Sequence, residues 1–166
     1  MRSVAAVPIS QGRPQRSVAL RPFVLPGPSN GAFPAVSSAV ELWDVADDSL
    51  VATVTPPGKL LGFGLGNDVL AVTIVDPTGT QHLIRYDAST GTKIASTPLG
   101  SPTTNFPVVS GHTIAYSIGR RIMVQNATTG AIRTVYTAGV TPTELSTDGT
   151  HVYWVADGHV IRSIAL

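Results

Sequence analysis

The stretch Ile84-Arg85-Tyr86-Asp87-Ala88-Ser89-Thr90-Gly91-Thr92-Lys93-Ile94 returns as Met123-Val124-Gln125-Asn126-Ala127-Thr128-Thr129-Gly130-Ala131-Ile132-Arg133, with positions 87 and 126 matched at a spacing of 39 residues. An earlier copy, Leu42-Trp43-Asp44-Val45-Ala46-Asp47-Asp48-Ser49-Leu50, stands 43 positions before the first (Asp44 against Asp87) and lacks the turn glycine. Each copy reads as two short strands joined by a tight turn. The Asp or Asn side chain can accept hydrogen bonds from backbone N–H groups two residues on, and Gly91 and Gly130 supply the positive φ that the turn needs. Self-similarity at about 40 residues marks a stacked array, in which each unit buries its faces against its neighbours.

Outward from this hairpin, short runs of Val, Ile, Leu, Thr and Tyr are cut by Gly, Asp, Asn and Pro, and no window carries a helical period. The fold class is all-β. Leu60–Leu65, Val69–Val75, His82–Ala88 and Lys93–Thr97 form one four-stranded antiparallel unit. Phe106–Val109, Thr113–Ile118, Arg121–Ala127 and Ala131–Thr137 form the next. Thr143–Ser146, His151–Ala156 and His159–Ala165 begin a third that stops one strand short, and Ala39–Val45 with Leu50–Thr55 are the outer half of an earlier one. The pattern is that of β-propeller blades, about three and a half of them, in a partial or small propeller. Residues 35–166 hold the blade array. Residues 1–34 carry six of the thirteen prolines and are expected to be irregular, with Ser17 to Arg21 the one segment able to add an edge strand.

Two stretches resemble known blade families. Val40-Glu41-Leu42-Trp43-Asp44-Val45 followed by Leu50-Val51-Ala52-Thr53-Val54 resembles the end of a WD40 repeat, although the Gly-His pair of that family is absent from its place; Gly111-His112 sits elsewhere in its blade. Leu145-Ser146-Thr147-Asp148-Gly149 leading into Val152-Tyr153-Trp154 is similar to the TolB-type repeat and, with Ile161-Arg162, to the Tyr-Trp-Thr-Asp repeats. Asp87 to Gly91 resembles the turn of the pyrroloquinoline-quinone propellers without their docking tryptophan. These resemblances imply the blade, and with it an interaction platform; they carry no chemistry.

Composition narrows the function. The chain of 166 residues has a net charge of +1 and no basic stripe, Arg13, Arg16 and Arg21 being its one dense basic group, so nucleic acid is not an expected partner. No cysteine is present, which excludes disulfides and thiol chemistry. No apolar run is long enough to span a bilayer, the N-terminus makes a poor signal peptide, and the compartment stays open between cytoplasm and export. An open array would expose an apolar face at each end. Closure of a small ring by the N-terminal segment, pairing of two copies, and membership of a longer propeller all answer this.

Candidate catalytic constellations are thin. Gly62-Phe63-Gly64-Leu65-Gly66 has Asn67 at the third required glycine position and no helix after it, so its glycines are read as space for a first strand near the axis. Ser146, Asp148 and His151 lack a nucleophile elbow and read as a β-turn. The four histidines are scattered over three units and the Asp-Gly turns lack the carboxylates of a calcium loop, so no metal, cofactor or catalytic residue is expected. Val72, Tyr116 and Trp154 hold matching second-strand positions and read as packing between blades. The candidate contact surface is the rim made by the second-to-third turns, with Asp76, Arg120, Arg121, Asp157 and His159. The expected function is a non-enzymatic module binding a protein or peptide, with self-association through open blade faces; the alternative is the C-terminal part of a larger propeller enzyme, a hydrolase or lyase with its catalytic residues in other blades.

Overall fold

The structure is a computed structural model describing residues 4–6, 16–24, 36–66, 68–101, 103 and 106–166. These residues form four antiparallel sheets and no helix. The first sheet holds β1 (Val4–Ala6), β2 (Arg16–Val24), β3 (Val36–Asp44) and β4 (Ser49–Val54). The second holds β5 (Lys59–Leu65), β6 (Val69–Val75), β7 (Gln81–Asp87) and β8 (Lys93–Pro98). The third holds β9 (Val108–Ser110), β10 (Thr113–Ile118), β11 (Arg121–Asn126) and β12 (Ile132–Thr137). The fourth has three strands only, β13 (Thr143–Thr147), β14 (His151–Ala156) and β15 (Val160–Ala165). In every sheet the strands pair in chain order, the simplest consequence of hairpins placed end to end.

The first 34 residues differ from the expectation of irregular chain. They contribute β1 and β2, which complete the first sheet and raise the count to four blades, the last of them incomplete. Pro22 fits because β1 covers only Ser17 to Ala19 and, among the described residues, residue 22 has a strand neighbour on one side alone, where Ser38 pairs with it. This strand does not close a ring: β2 pairs with β1 and β3 and not with β15.

Three apolar seams join the sheets. Val40, Leu42 and Val54 of the first sheet pack on Leu70, Val72, Ile84 and Tyr86 of the second. Val69, Ala71 and Leu83 meet Ile114, Tyr116 and Ala127. Ala115, Ile122 and Val124 meet Val152, Trp154 and Ala156. The matched residues Val72, Tyr116 and Trp154 are therefore core. Among the described residues no seam joins the fourth sheet to the first, and the array is open.

The repeated turn performs the role its sequence predicts. Asp87 Oδ1 accepts from the N–H groups of Ser89 (2.7 Å) and Thr90 (3.0 Å), and Asn126 Oδ1 accepts from those of Thr128 (2.9 Å) and Thr129 (2.8 Å). Ser89 Oγ also donates to the Asp87 carboxylate, the largest of the contacts that hold its pKa below the ordinary value. Gly91 and Gly130 close the turns at φ 69° and 80°; in the earlier copy Asp48 takes that conformation at φ 53°. Each turn also docks on the preceding sheet. Ala88 and Ala127, one residue into the turn, are 0% and 1% exposed, and the buried Arg85 of β7 donates through Nη1 to the carbonyls of Asn126 (3.4 Å) and Ala127.

Near the axis the seam between β5 and β9 is closer still. A Cβ on Gly64 would lie 2.3 Å from the Pro107 carbonyl oxygen, and one on Gly62 would lie 2.2 Å from the Phe106 ring. The glycines are space for an approaching strand, as their spacing suggests. The two neighbours differ in their ability to yield, since Phe106 is 66% exposed and its ring can rotate into solvent whereas the Pro107 carbonyl is backbone. Gly64→Ala is therefore expected to cost about 1–3 kcal/mol, as overpacking does. Gly62→Ala should cost less than half as much, and thermal melts followed by circular dichroism will rank the two.

Candidate functional site

The five rim residues lie in the expected turns of three consecutive sheets. Between β10 and β11, Gly119 takes φ 54° and Arg120 follows it, a type II′ pattern that matches the strand twist. Between β14 and β15, Asp157 and Gly158 take φ 53° and 75°, with the His159 N–H donating to the Ala156 carbonyl at 3.3 Å, a type I′ pattern. The rim is tied to the fourth-to-first connections on the same side. Ala138 N–H donates to the Arg120 carbonyl at 2.8 Å, Arg120 Nη1 donates to the Gly139 carbonyl at 3.3 Å, and Leu99 N–H donates to the Gln81 carbonyl at 2.8 Å.

Asp76 is engaged within its own turn. Its Oδ1 accepts from Thr78 N–H (2.9 Å), Thr78 Oγ1 (2.7 Å) and Thr80 N–H (2.9 Å), while Oδ2 lies 3.0 Å from His82 Nε2. The carboxylate organises the loop. Arg120, Arg121, Asp157 and His159 are exposed, and among the described residues no hydrogen bond or ion pair joins any two of the five. The rim is thus a row of separately held polar groups, with no shared catalytic geometry. Asp148 likewise belongs to a turn: the N–H groups of Thr150 and His151 (both 2.7 Å) and the Tyr153 hydroxyl (2.8 Å) hold its carboxyl well below the usual range, and the same bond pushes the Tyr153 phenol up. His151 Nδ1 sits 3.0 Å from Thr150 Oγ1 and 3.8 Å from Asp148 Oδ2, so His151 and Asp148 are both engaged within this turn.

Two open cavities lie on the seam between the third and fourth sheets, where β15 has no outer neighbour among the described residues. One, of about 230 Å³, is lined by Val124, Asn126, Ile132, Arg133 and Leu166 among others. The second, of about 140 Å³, is lined by Tyr136, Gly139, Trp154, Asp157 and Arg162 among others.

The Asp76 turn gives a pH prediction. Thr78 Oγ1 is the largest of the contacts that lower the Asp76 pKa from 3.8 to about 2. A folded-state pKa below the unfolded value stabilises above pH 3.8, and that stabilisation is lost as pH falls through about 2. Carboxyl NMR titration should place the Asp76 midpoint near the lower value, and Thr78→Val should move it back toward the ordinary one.

No family model matches the sequence, and no curated protein is similar to it. Solved structures do match. BamB from Moraxella catarrhalis superposes with a TM-score of 0.61 at 13% identity, over 97% of this chain and 42% of its own. The structure of U3-55K gives 0.61 at 11% identity, over 98% of this chain and 52% of its own. The computationally designed Ika4 protein gives 0.60 at 14% identity, over 91% and 85%. The chain thus spans about half the length of BamB and of U3-55K and most of Ika4. At these identities the likeness concerns the fold: the chain is a partial β-propeller of antiparallel blades.

Proposed function

We propose that this chain is a non-enzymatic scaffold that binds a protein or peptide partner on the rim carrying Asp76, Arg120, Arg121, Asp157 and His159. The observation that carries this reading is the set of short, internally bonded turns at one end of three sheets, anchored to the connections beside them. Such turns fix the backbone from which the exposed charges project, so less chain has to be ordered when a partner docks. The test is capture of a defined partner by the immobilised chain. Arg120→Ala together with Arg121→Ala should abolish capture while leaving the melt unchanged; undiminished capture would overturn the rim.

Self-association is a second reading with its own support. Val45 occupies the repeat position of Ala88 and Ala127, which are buried in seams, yet Val45 is 46% exposed. The first sheet therefore presents the docking half of a seam with no partner among the described residues. A second copy covering it would double the 17.2 kDa chain mass in light scattering, and Val45→Asp would return the mass to that of one chain. A wild-type chain that stays folded at the single mass sinks this reading.

A further inference from the structure

A relay of three side chains runs across the second sheet from the Asp76 turn to the outer strand. Asp76 Oδ2 lies 3.0 Å from His82 Nε2, and His82 Nδ1 lies 3.3 Å from Ser96 Oγ. Register explains the meeting. His82 is paired with Ile74 of β6 and Pro98 of β8, while Ser96 stands opposite Ile84, so residues 82, 84 and 96 share the face that meets the first sheet. Asp76 follows β6 directly and reaches back to the histidine ring near the start of β7.

The relay has a direction. Bonds from Thr78 and Thr80 keep the Asp76 carboxyl ionised, and a carboxylate only accepts, so His82 Nε2 carries the proton. Nδ1 of the neutral ring is then an acceptor, and the bond with Ser96 runs from hydroxyl to ring. Ser96 also has a backbone donor to offer. Asp76 N–H donates to the Thr80 carbonyl at 2.9 Å and Leu99 N–H to the Gln81 carbonyl at 2.8 Å. These bonds fix the alternation of both ladders: Ile84 turns its backbone groups to β6, and Ser96 turns its own away from β7. Among the described residues no strand pairs with the outer edge of β8, and Ser96 is exposed. Its N–H therefore faces outward beside its own Oγ.

We propose that Ser96 is a covalent modification site that takes the acyl group of an activated ester, with His82 as its base and Asp76 as the positioning residue. A hydroxyl bonded to an imidazole whose far nitrogen is fixed by a carboxylate is an activated nucleophile. Ser96 Oγ bonds to the carbonyl carbon as its proton passes to His82 Nδ1, and the carbonyl electron pair moves onto oxygen. The Ser96 N–H donates to that oxygen, as a nucleophile's own amide does in an oxyanion hole. On collapse the bond to the leaving oxygen breaks and His82 returns the proton to it. The products are O-acyl Ser96 and a free alcohol, with no further reactant consumed. This property is separate from partner capture at the rim.

The probe is p-nitrophenyl acetate on the full chain, with tandem mass spectrometry to place and time each acetyl group. Ser49 and Ser163 are exposed serines bonded to no histidine among the described residues, and they set the background rate. Ser96 should be acetylated at least about a hundredfold faster than either, the gain that a positioned base supplies. His82→Gln should bring Ser96 down to the rate of the other two. Asp76→Asn should slow Ser96 as well, and nitrogen NMR of the His82 ring should show the proton held on Nε2 in the wild type and shared between both nitrogens in that variant. Acetylation of Ser96 no faster than of Ser49 and Ser163, or an unchanged rate in His82→Gln, overturns the proposal. The comparison of the three serines and the ring NMR are both made on the wild-type chain, so the test stands if either variant fails to fold.

Discussion

The structure depends on how closely two neighbouring sheets must approach along their inner strands. A sheet of four short strands cannot bury both faces by itself, so its stability is set by the seams. Where β5 faces β9 the separation leaves no room for a Cβ at position 64, and small residues, Ala71 and Ala115, stand fully buried on the faces turned to the following sheet. In the same seams large buried side chains, among them Tyr86, Tyr116 and Trp154, fill the remaining space. Small residues on one face set against large ones on the other, as Ala71 and Tyr116 in the second seam, let adjoining sheets interlock.

The Asp/Asn-to-Gly turn then locks each wedge to the one before it. Its first requirement is local, since one side-chain oxygen satisfies two turn N–H groups. Its second is tertiary, because Ala88 and Ala127 must be small to seat against the preceding sheet. In the second seam Arg85 adds charged hydrogen bonds to backbone carbonyls, at a place where the other copies carry Leu42 and Val124. Burial of both large and polar groups at one repeat position shows that the seam tolerates either, provided that the guanidinium finds acceptors. Gly130 lets it do so: a Cβ there would stand 2.8 Å from Arg85 Nη2.

Much of this was legible in the sequence because it is written in repeats and turn residues. The hairpin spacing, the strand order and the role of Gly62 and Gly64 follow from local chemistry, and the strand limits agree closely apart from Phe106–Val109, where the strand starts at Val108, and Ala39–Val45, where it starts at Val36. β1 was not legible, and of β2 only Ser17 to Arg21 was read as able to form a strand, at an edge and not between two neighbours. Their pairing with β3 is set by long-range register, and proline density suggests irregular chain when the open side of Pro22 is unknown. The engagement of Asp76 with Thr78, Thr80 and His82 was hidden too, since a charged residue in a turn looks the same whether it faces a partner or its own backbone.

The two ends of the array are not equivalent, and this bears on what each can bind. The first sheet turns Trp43 and Val45 outward at positions where the next sheet carries the buried Tyr86 and Ala88, so its end keeps the pattern of an ordinary seam. On the fourth sheet Tyr153 stands where Ala71 and Ala115 allow close approach, its hydroxyl bonded to Asp148 and its ring 6.0 Å from that of His151. A tyrosine at that position fills the space that the two alanines leave free for an approaching sheet, so the face of the fourth sheet differs in shape from those of the second and third.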